Sequence, residues 1–191
     1  VIKPGGIFYT SVTGIWQTVW LEPVEESYIL SHRLVPDIDR SFIKLKVNAK
    51  NAEGCSLMIK SKQGDFNIKS DEVLKKEIII NIKNQKLWSP DSPFLYDLEL
   101  KLVNNKNKVV DRVESYFGMR KSSIAKDENG ILRLFLNNEP IFHFGPLDQG
   151  WWPDGLYTAP TDEALKFDLE YIKDVGFNML RKHVKTEPGR L

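Results

Sequence analysis

The chain has 191 residues, with 27 Lys and Arg against 26 Asp and Glu, 41% hydrophobic residues and 28% charged ones. That balance describes a globular protein and excludes collagen, coiled coil, long disorder and a nucleic-acid binder, which would need a basic surplus. A single cysteine, Cys55, excludes an internal disulfide, and no run of about 18 apolar residues is present to span a membrane.

The chain opens at Val1 without a methionine, a basic cluster or an apolar h-region, which reads as a fragment of a longer polypeptide and leaves the compartment open. Residues 15–22, Ile-Trp-Gln-Thr-Val-Trp-Leu-Glu, are aromatic and β-branched with partial alternation, and predict a strand that needs a sheet to join. Apolar or alternating segments follow at 27–35, 41–50, 55–60, 65–69, 76–83, 94–103 and 109–118, separated by Pro, Gly, Asn and Asp. Alternation is clearest at Tyr96, Leu98, Leu100 and Leu102, with Asp97, Glu99 and Lys101 facing the other way. Seven short strands in this grammar predict an immunoglobulin-like β-sandwich.

Beyond residue 121 the pattern changes. Segments 131–136 and 141–144 flank Asn137-Asn138-Glu139-Pro140, a hairpin signal because Asn tolerates positive φ. Residues 145–160 carry Gly, Pro and Trp without helical or strand pattern; a loop of that length is usually functional or disordered, and the two adjacent tryptophans argue for order. Residues 161–175 predict a helix, with Thr161 as cap, Asp162 and Glu163 in the first turn, Gly176 as the stop, and Leu165, Leu169, Ile172 and Val175 as the inward face. A strand at 177–184 completes a βαβ unit, so its two strands should be parallel. If the unit opens a (β/α)8 barrel, Asp148, Gln149, Trp151, Trp152, Asp154, Arg181 and His183 share one rim. Two strands and one helix would leave the apolar faces of Ile141, Met179, Leu180 and the helix uncovered.

Trp151 and Trp152 can stack on the C–H face of a sugar, or simply anchor the loop. Arg181 and His183 point to one side under strand alternation and, with Lys182 and Lys185, form a basic corner that suits either a substrate-side carboxylate or a structural ion pair. His143, within an apolar strand, reads as a core histidine, and His32 as an ordinary strand residue. Asp148, Asp154 and Glu187 are the rim carboxylates, but nothing in their spacing singles out a pair of the kind a glycosidase needs, about 5–5.5 Å apart for retention or about 6.5–9.5 Å for inversion. No phosphate loop, Cys/His metal cluster, nucleophile elbow or HExxH motif occurs.

The ordered motifs Gly14-Ile15-Trp16-Gln17-Thr18-Val19-Trp20-Leu21-Glu22-Pro23, Leu87-Trp88-Ser89-Pro90-Asp91-Ser92-Pro93-Phe94-Leu95-Tyr96, Phe117-Gly118-Met119-Arg120 and Phe135-Leu136-Asn137-Asn138-Glu139-Pro140-Ile141 resemble glycoside hydrolase family 2. The resemblance implies the end of a jelly-roll sugar-binding domain at 1–23, the sandwich at 24–120 and the start of a catalytic (β/α)8 barrel at 121–191. It implies a parent enzyme that retains configuration, with one glutamate as acid/base after the fourth barrel strand and another as nucleophile after the seventh. Neither falls within this chain, which is expected to be inactive alone.

Asn178 and Arg181 match the family's Asn-x-x-Arg, whose arginine lies near the nucleophile. His183 stands one place earlier than the family's histidine. The β-galactosidase pattern Gly-Val-Asn-Arg-His becomes Gly145-Pro146-Leu147-Asp148-Gln149, so Gln149 replaces a substrate-contacting histidine and Trp151-Trp152 replaces further histidines. Asp148, Gln149, Trp151, Trp152, Arg181 and His183 are therefore the candidate carbohydrate-binding residues, with no catalytic residue, metal ligand or cofactor in the chain. The competing reading is a carbohydrate-binding or interaction module without catalysis. Sugar, linkage, oligomeric state and any divalent ion of the parent are left open.

Overall fold

A computed structural model describes residues 5–6, 9–71 and 77–187. It is mainly β, with a single helix among the described residues, and divides into two compact units, Glu22–Ile141 and Val1–Leu21 with Phe142–Leu191.

The first unit contains β1 (Tyr28–Asp37), β2 (Phe42–Lys50), β3 (Ser56–Ser61), β4 (Phe66–Ser70), β5 (Ile78–Asn81), β6 (Tyr96–Val103) and β7 (Val109–Phe117). They form antiparallel sheets in the orders β1-β2-β5 and β4-β3-β6-β7. The predicted strand at 76–83 starts on a residue outside the described ones, and β5 covers its middle. Alternation decides which side chains go inward. Tyr96, Leu98, Leu100 and Leu102 are at most 2% exposed, and they share one core with Leu57 and Ile59 of their own sheet and Ile43, Leu45 and Ile80 of the other. Each such side chain contributes about 1.5–3 kcal/mol on burial, more than the exposed ion pairs can supply.

The turns use residues that tolerate the left-handed region: Asn51, Asp65, Asn84 and Asn107 have φ of 47°, 50°, 49° and 58°. One turn is also fastened from outside. Asp97 Oδ1 accepts from Ser61 Oγ (3.0 Å) and from the amides of Lys62 (2.8 Å) and Gln63 (3.2 Å). Burial opposes its charge, but the donations from Gln63, Ser61 and Lys62 outweigh that and hold the carboxyl below its ordinary range.

The same unit extends past Arg120 into β8 (Ser122–Lys126), β9 (Leu132–Leu136) and β10 (Glu139–Pro140), an antiparallel set in the order β10-β9-β8. The predicted four-residue hairpin loop is shorter in fact: Asn137 (φ 54°) and Asn138 (φ 69°) alone make the turn, and Leu136 pairs with Glu139. Asn137 Oδ1 accepts from the Lys121 amide (3.0 Å), and its Nδ2 donates to the Trp88 carbonyl (2.8 Å). Asn138 Nδ2 and Lys121 Nζ both reach Asp39, at 2.8 and 2.6 Å. Trp88 also lies under Arg120, whose guanidinium sits 4.8 Å from the ring centroid. His32 pairs across the sheets, its Nε2 lying 2.9 Å from Ser115 Oγ.

In the second unit β11 (Leu147–Asp148), α1 (Asp162–Asp174) and β12 (Arg181–Lys182) form the expected parallel pair with an intervening helix. The first strand lies later than predicted, inside the segment read as patternless loop. Pairing continues on either side of the named strands, Asn178 N donating to Phe144 O, Arg181 N to Pro146 O and His183 N to Asp148 O at 3.0, 3.0 and 2.8 Å. A Cβ on Gly145 would lie 1.6 Å from the Met179 carbonyl oxygen, so this close approach requires glycine. Thr161 caps α1 by accepting from the Ala164 amide (3.1 Å), with Asp162 and Glu163 in the first turn.

Other expectations are corrected. Leu165 is buried and Ile172 half-buried, but Leu169 and Val175 are exposed, so the predicted apolar stripe is only partly covered. Ile141, Met179 and Leu180 are half-buried rather than bare, and the exposed apolar groups include Phe142, Phe144, Phe167 and Tyr171. His143 is exposed, not a core residue. Residues 15–22 form no strand; Ile15, Val19, Trp20 and Leu21 are exposed, because no described strand offers them a ladder.

Candidate functional site

The parallel register Leu147 to Arg181 and Asp148 to Lys182 puts the ends of β11 and β12 side by side, and the residues that follow each strand meet there. Of the predicted site residues, Gln149 and His183 are joined directly: Gln149 Nε2 lies 3.2 Å from His183 Nδ1, and Gln149 Oε1 accepts from the Tyr9 hydroxyl. The amide is thus oriented by a donor on one side and an imidazole acceptor on the other. Arg181 is exposed and enters no ion pair among the described residues, while its backbone amide is fixed to Pro146.

Asp148 plays a different part. Its Oδ2 lies 2.6 Å from Lys182 Nζ, and its Oδ1 accepts from the Gly150 amide at 2.5 Å. Lys182 also pairs with Glu187, which takes Lys185 as a second partner at 3.0 Å. Burial works against the Lys182 charge, but the hydrogen bonds it donates to Asp148 and Glu187 outweigh it and raise the ammonium above its ordinary range. Two of the three rim carboxylates are therefore engaged by one lysine. Asp154 stands apart, its carboxylate accepting from the Gly155 amide at 2.9 Å. On α1, burial and repulsion from Asp148 push the Asp168 carboxyl up, with Lys182 opposing.

The tryptophans separate as well. Trp151 is stacked on Tyr9 (centroids 4.6 Å, planes 12° apart) and meets Tyr157 edge-on at 5.2 Å. Tyr157 packs in turn on Trp16 at 5.6 Å. Trp152 exchanges backbone hydrogen bonds with Leu156 at 2.8 and 3.0 Å, closing a tight loop, and its indole Nε1 is buried without an acceptor. A cleft of about 290 Å³ beside these groups is lined by Tyr9, Asp148, Gln149, Trp151, Asp168 and Tyr171, among others. Sequence reasoning missed Tyr9 and Gly150, the second of which carried a signal, a glycine directly after Asp148 and Gln149; Lys185, expected in the basic corner, turns its ammonium to Glu187 and the Tyr157 carbonyl. Among the described residues no group of three or more His, Cys, Asp and Glu is placed to hold a metal, and no helix is long and apolar enough to cross a membrane.

Residues 28–120 match the family model of glycosyl hydrolases family 2. A β-galactosidase of Lactococcus lactis is 27% identical over 89% of the chain, and a putative β-glucuronidase of Formosa agariphila is 34% identical over 57%. The chain spans 17% and 10% of those two proteins. Among solved structures, β-glucuronidase 3 of Bacteroides uniformis covers 86% of the chain at TM-score 0.68 and 23% identity, and a Ruminococcus gnavus β-glucuronidase in complex with D-glucuronic acid covers 87% at TM-score 0.72 and 16% identity. The chain covers 21% and 28% of those structures, which are similar in fold.

Proposed function

We infer, from the match of residues 28–120 to the family model and from the relatives aligned along the chain, that the chain belongs to glycosyl hydrolases family 2 and that the whole protein is a β-glycosidase that hydrolyses O-glycosidic bonds with retention of configuration. The match of residues 28–120, which hold β1–β7, to the family model carries the reading, and relatives called β-galactosidase or β-glucuronidase, aligned over about nine-tenths of the chain, support it. In this reading residues 24–120 are the immunoglobulin-like sandwich, 1–23 close a sugar-binding jelly roll, and 121–191 open the (β/α)8 barrel. The parallel β11–α1–β12 arrangement supports the last of these, because loops after barrel strands form the catalytic face.

The glutamates that supply acid/base and nucleophile belong to later strands, and the present residues supply one wall of the sugar site. The Arg181 guanidinium offers charge to a carboxylate or a sugar hydroxyl. Gln149 has one N–H left after bonding His183, and the Nε2 edge of that imidazole can meet a second hydroxyl. Trp151 offers indole surface for a pyranose, although Tyr9 covers part of it.

The test is turnover by the full-length protein of aryl β-galactosides, β-glucuronides and β-galacturonides, with the first-formed anomer followed by NMR. Retention on any of them is expected; inversion, or inactivity on all, refutes the reading. In that second case, saturable binding of an oligosaccharide would favour a module that binds carbohydrate without cleaving it.

A further inference from the structure

Lys185 is a lysine in an unusual place. Its side chain is 2% exposed, and burying an ammonium is costly unless it is paired and hydrogen-bonded. Its Nζ donates to the Tyr157 carbonyl at 2.8 Å and pairs with Glu187 at 3.0 Å, and it lies 5.1 and 5.6 Å from the ring centroids of Trp16 and Tyr157. The space for it exists because residue 150 is glycine. A Cβ there would lie 2.0 Å from Lys185 Cε and 2.6 Å from Nζ.

The contacts close on themselves. The Gly150 amide binds Asp148, Asp148 pairs with Lys182, Lys182 with Glu187, and Glu187 with Lys185, whose tip fills the space under Gly150. Gln149 lies between the two backbone positions that this ring fixes. Val184, a β-branched residue with φ of 63°, makes the turn that swings Lys185 back beneath the loop. That conformation is rare for a β-branched residue and persists only where its surroundings hold it.

We propose that Lys185 is a positioning residue for the rim: its ammonium fixes residues 148–157, and through them the side chains of Gln149 and Trp151, against the end of β12. As a source of stability it would be a poor choice, since a well-packed apolar residue commonly does as well as a buried ion pair. What the lysine supplies is placement, because only a charge with several donors can join a carbonyl, a carboxylate and two ring faces at once. The kinetic consequence rests on the glycosidase reading; the structural consequence does not.

The experiment uses the full-length protein and the variants Lys185→Met, Glu187→Gln and Gly150→Ala. Amide hydrogen exchange at residues 149–157 should quicken in each, while amides of β6 keep their protection. On an aryl β-glycoside that the wild type cleaves, kcat/KM should fall by about tenfold or more, as expected for a displaced binding group. Unchanged exchange at 149–157 in the variants that fold would overturn the proposal. So would unchanged KM and kcat accompanied by a lowered Tm, which is the signature of a merely structural lysine. Should Lys185→Met fail to fold, Glu187→Gln, which keeps shape and removes one charge, decides the matter alone. A wild type inactive on every glycoside refutes the glycosidase reading and leaves the exchange measurement to judge Lys185.

Discussion

Asn137 is the most economical place to test how the hairpin is fastened to the sandwich. Replacing it with alanine removes its acceptance from the Lys121 amide and its donation to the Trp88 carbonyl, each bond worth about 1 kcal/mol. It also puts a side chain with no local hydrogen bond at φ of 54°, which costs about a further 1 kcal/mol or more. The total is about 3 kcal/mol. Glycine at the same position loses both hydrogen bonds but accepts the backbone geometry, so Asn137→Gly should cost about 2 kcal/mol and the difference between the variants reads the turn alone. Exchange of the amides of Leu98, Leu100 and Leu102, in the centre of the four-stranded sheet, reports opening of the whole unit and gives the stability change directly. Equal costs for alanine and glycine would refute the left-handed argument. Costs below about 0.5 kcal/mol in both, the level of an ordinary surface change, would show that the side-chain bonds are exchanged for water without loss.

Leu100→Ala, at a position with no exposure, should cost about 2–5 kcal/mol and lower the urea midpoint of that unit without changing the m-value. Asp97→Asn should cost about 1 kcal/mol at neutral pH, because the turn at 62–65 loses charge-assisted acceptance. Since the folded carboxyl titrates below the ordinary 3.8, the wild-type advantage is present above that value and is lost as pH falls through the lowered one; stability curves at neutral and strongly acid pH check it. Asp168→Asn has the opposite sign: its carboxyl is raised in the fold, so the charge costs stability above the raised value. The variant should gain less than about 1 kcal/mol at neutral pH, where solvent screens the exposed group, and nothing below 3.8.

Strands β1–β7 of the first unit were legible because each turns one face toward the shared core, and burial writes itself into sequence as a period of two. β6 shows this plainly, with Tyr96, Leu98, Leu100 and Leu102 inward. β8 was not legible: Ile124, its one large apolar residue, is 70% exposed, so no inward face imposed a pattern. β11 is two residues long and finds its partner across a helix, and local periodicity carries no trace of such pairing. For the site, residue types could be named but not their company. Gln149 meets His183 only because the register sets Asp148 against Lys182, and a shift by one residue would have exchanged the faces. Asp148 was read as facing sugar, yet the same register gives it to Lys182. The basic-corner pattern includes Lys185 and allows for an ion pair, which it makes with Glu187, but its burial depends on Trp16, a residue far away in sequence within the segment expected to be a strand.

The hydrogen bond from Tyr9 to Gln149 spans 140 residues of chain, and almost everything between them belongs to the other compact unit. For an unstructured chain, closing a loop of that length costs entropy that grows as about (3/2)RT ln n. A sandwich that folds first, on its many hairpin contacts, shortens the effective loop before the distant ends must meet. The order of events during synthesis should therefore run from the middle outward. Tyr9 and Trp16, although made early, must wait for Trp151, Tyr157 and Lys185 to emerge, and the rim becomes the last part of these residues to mature.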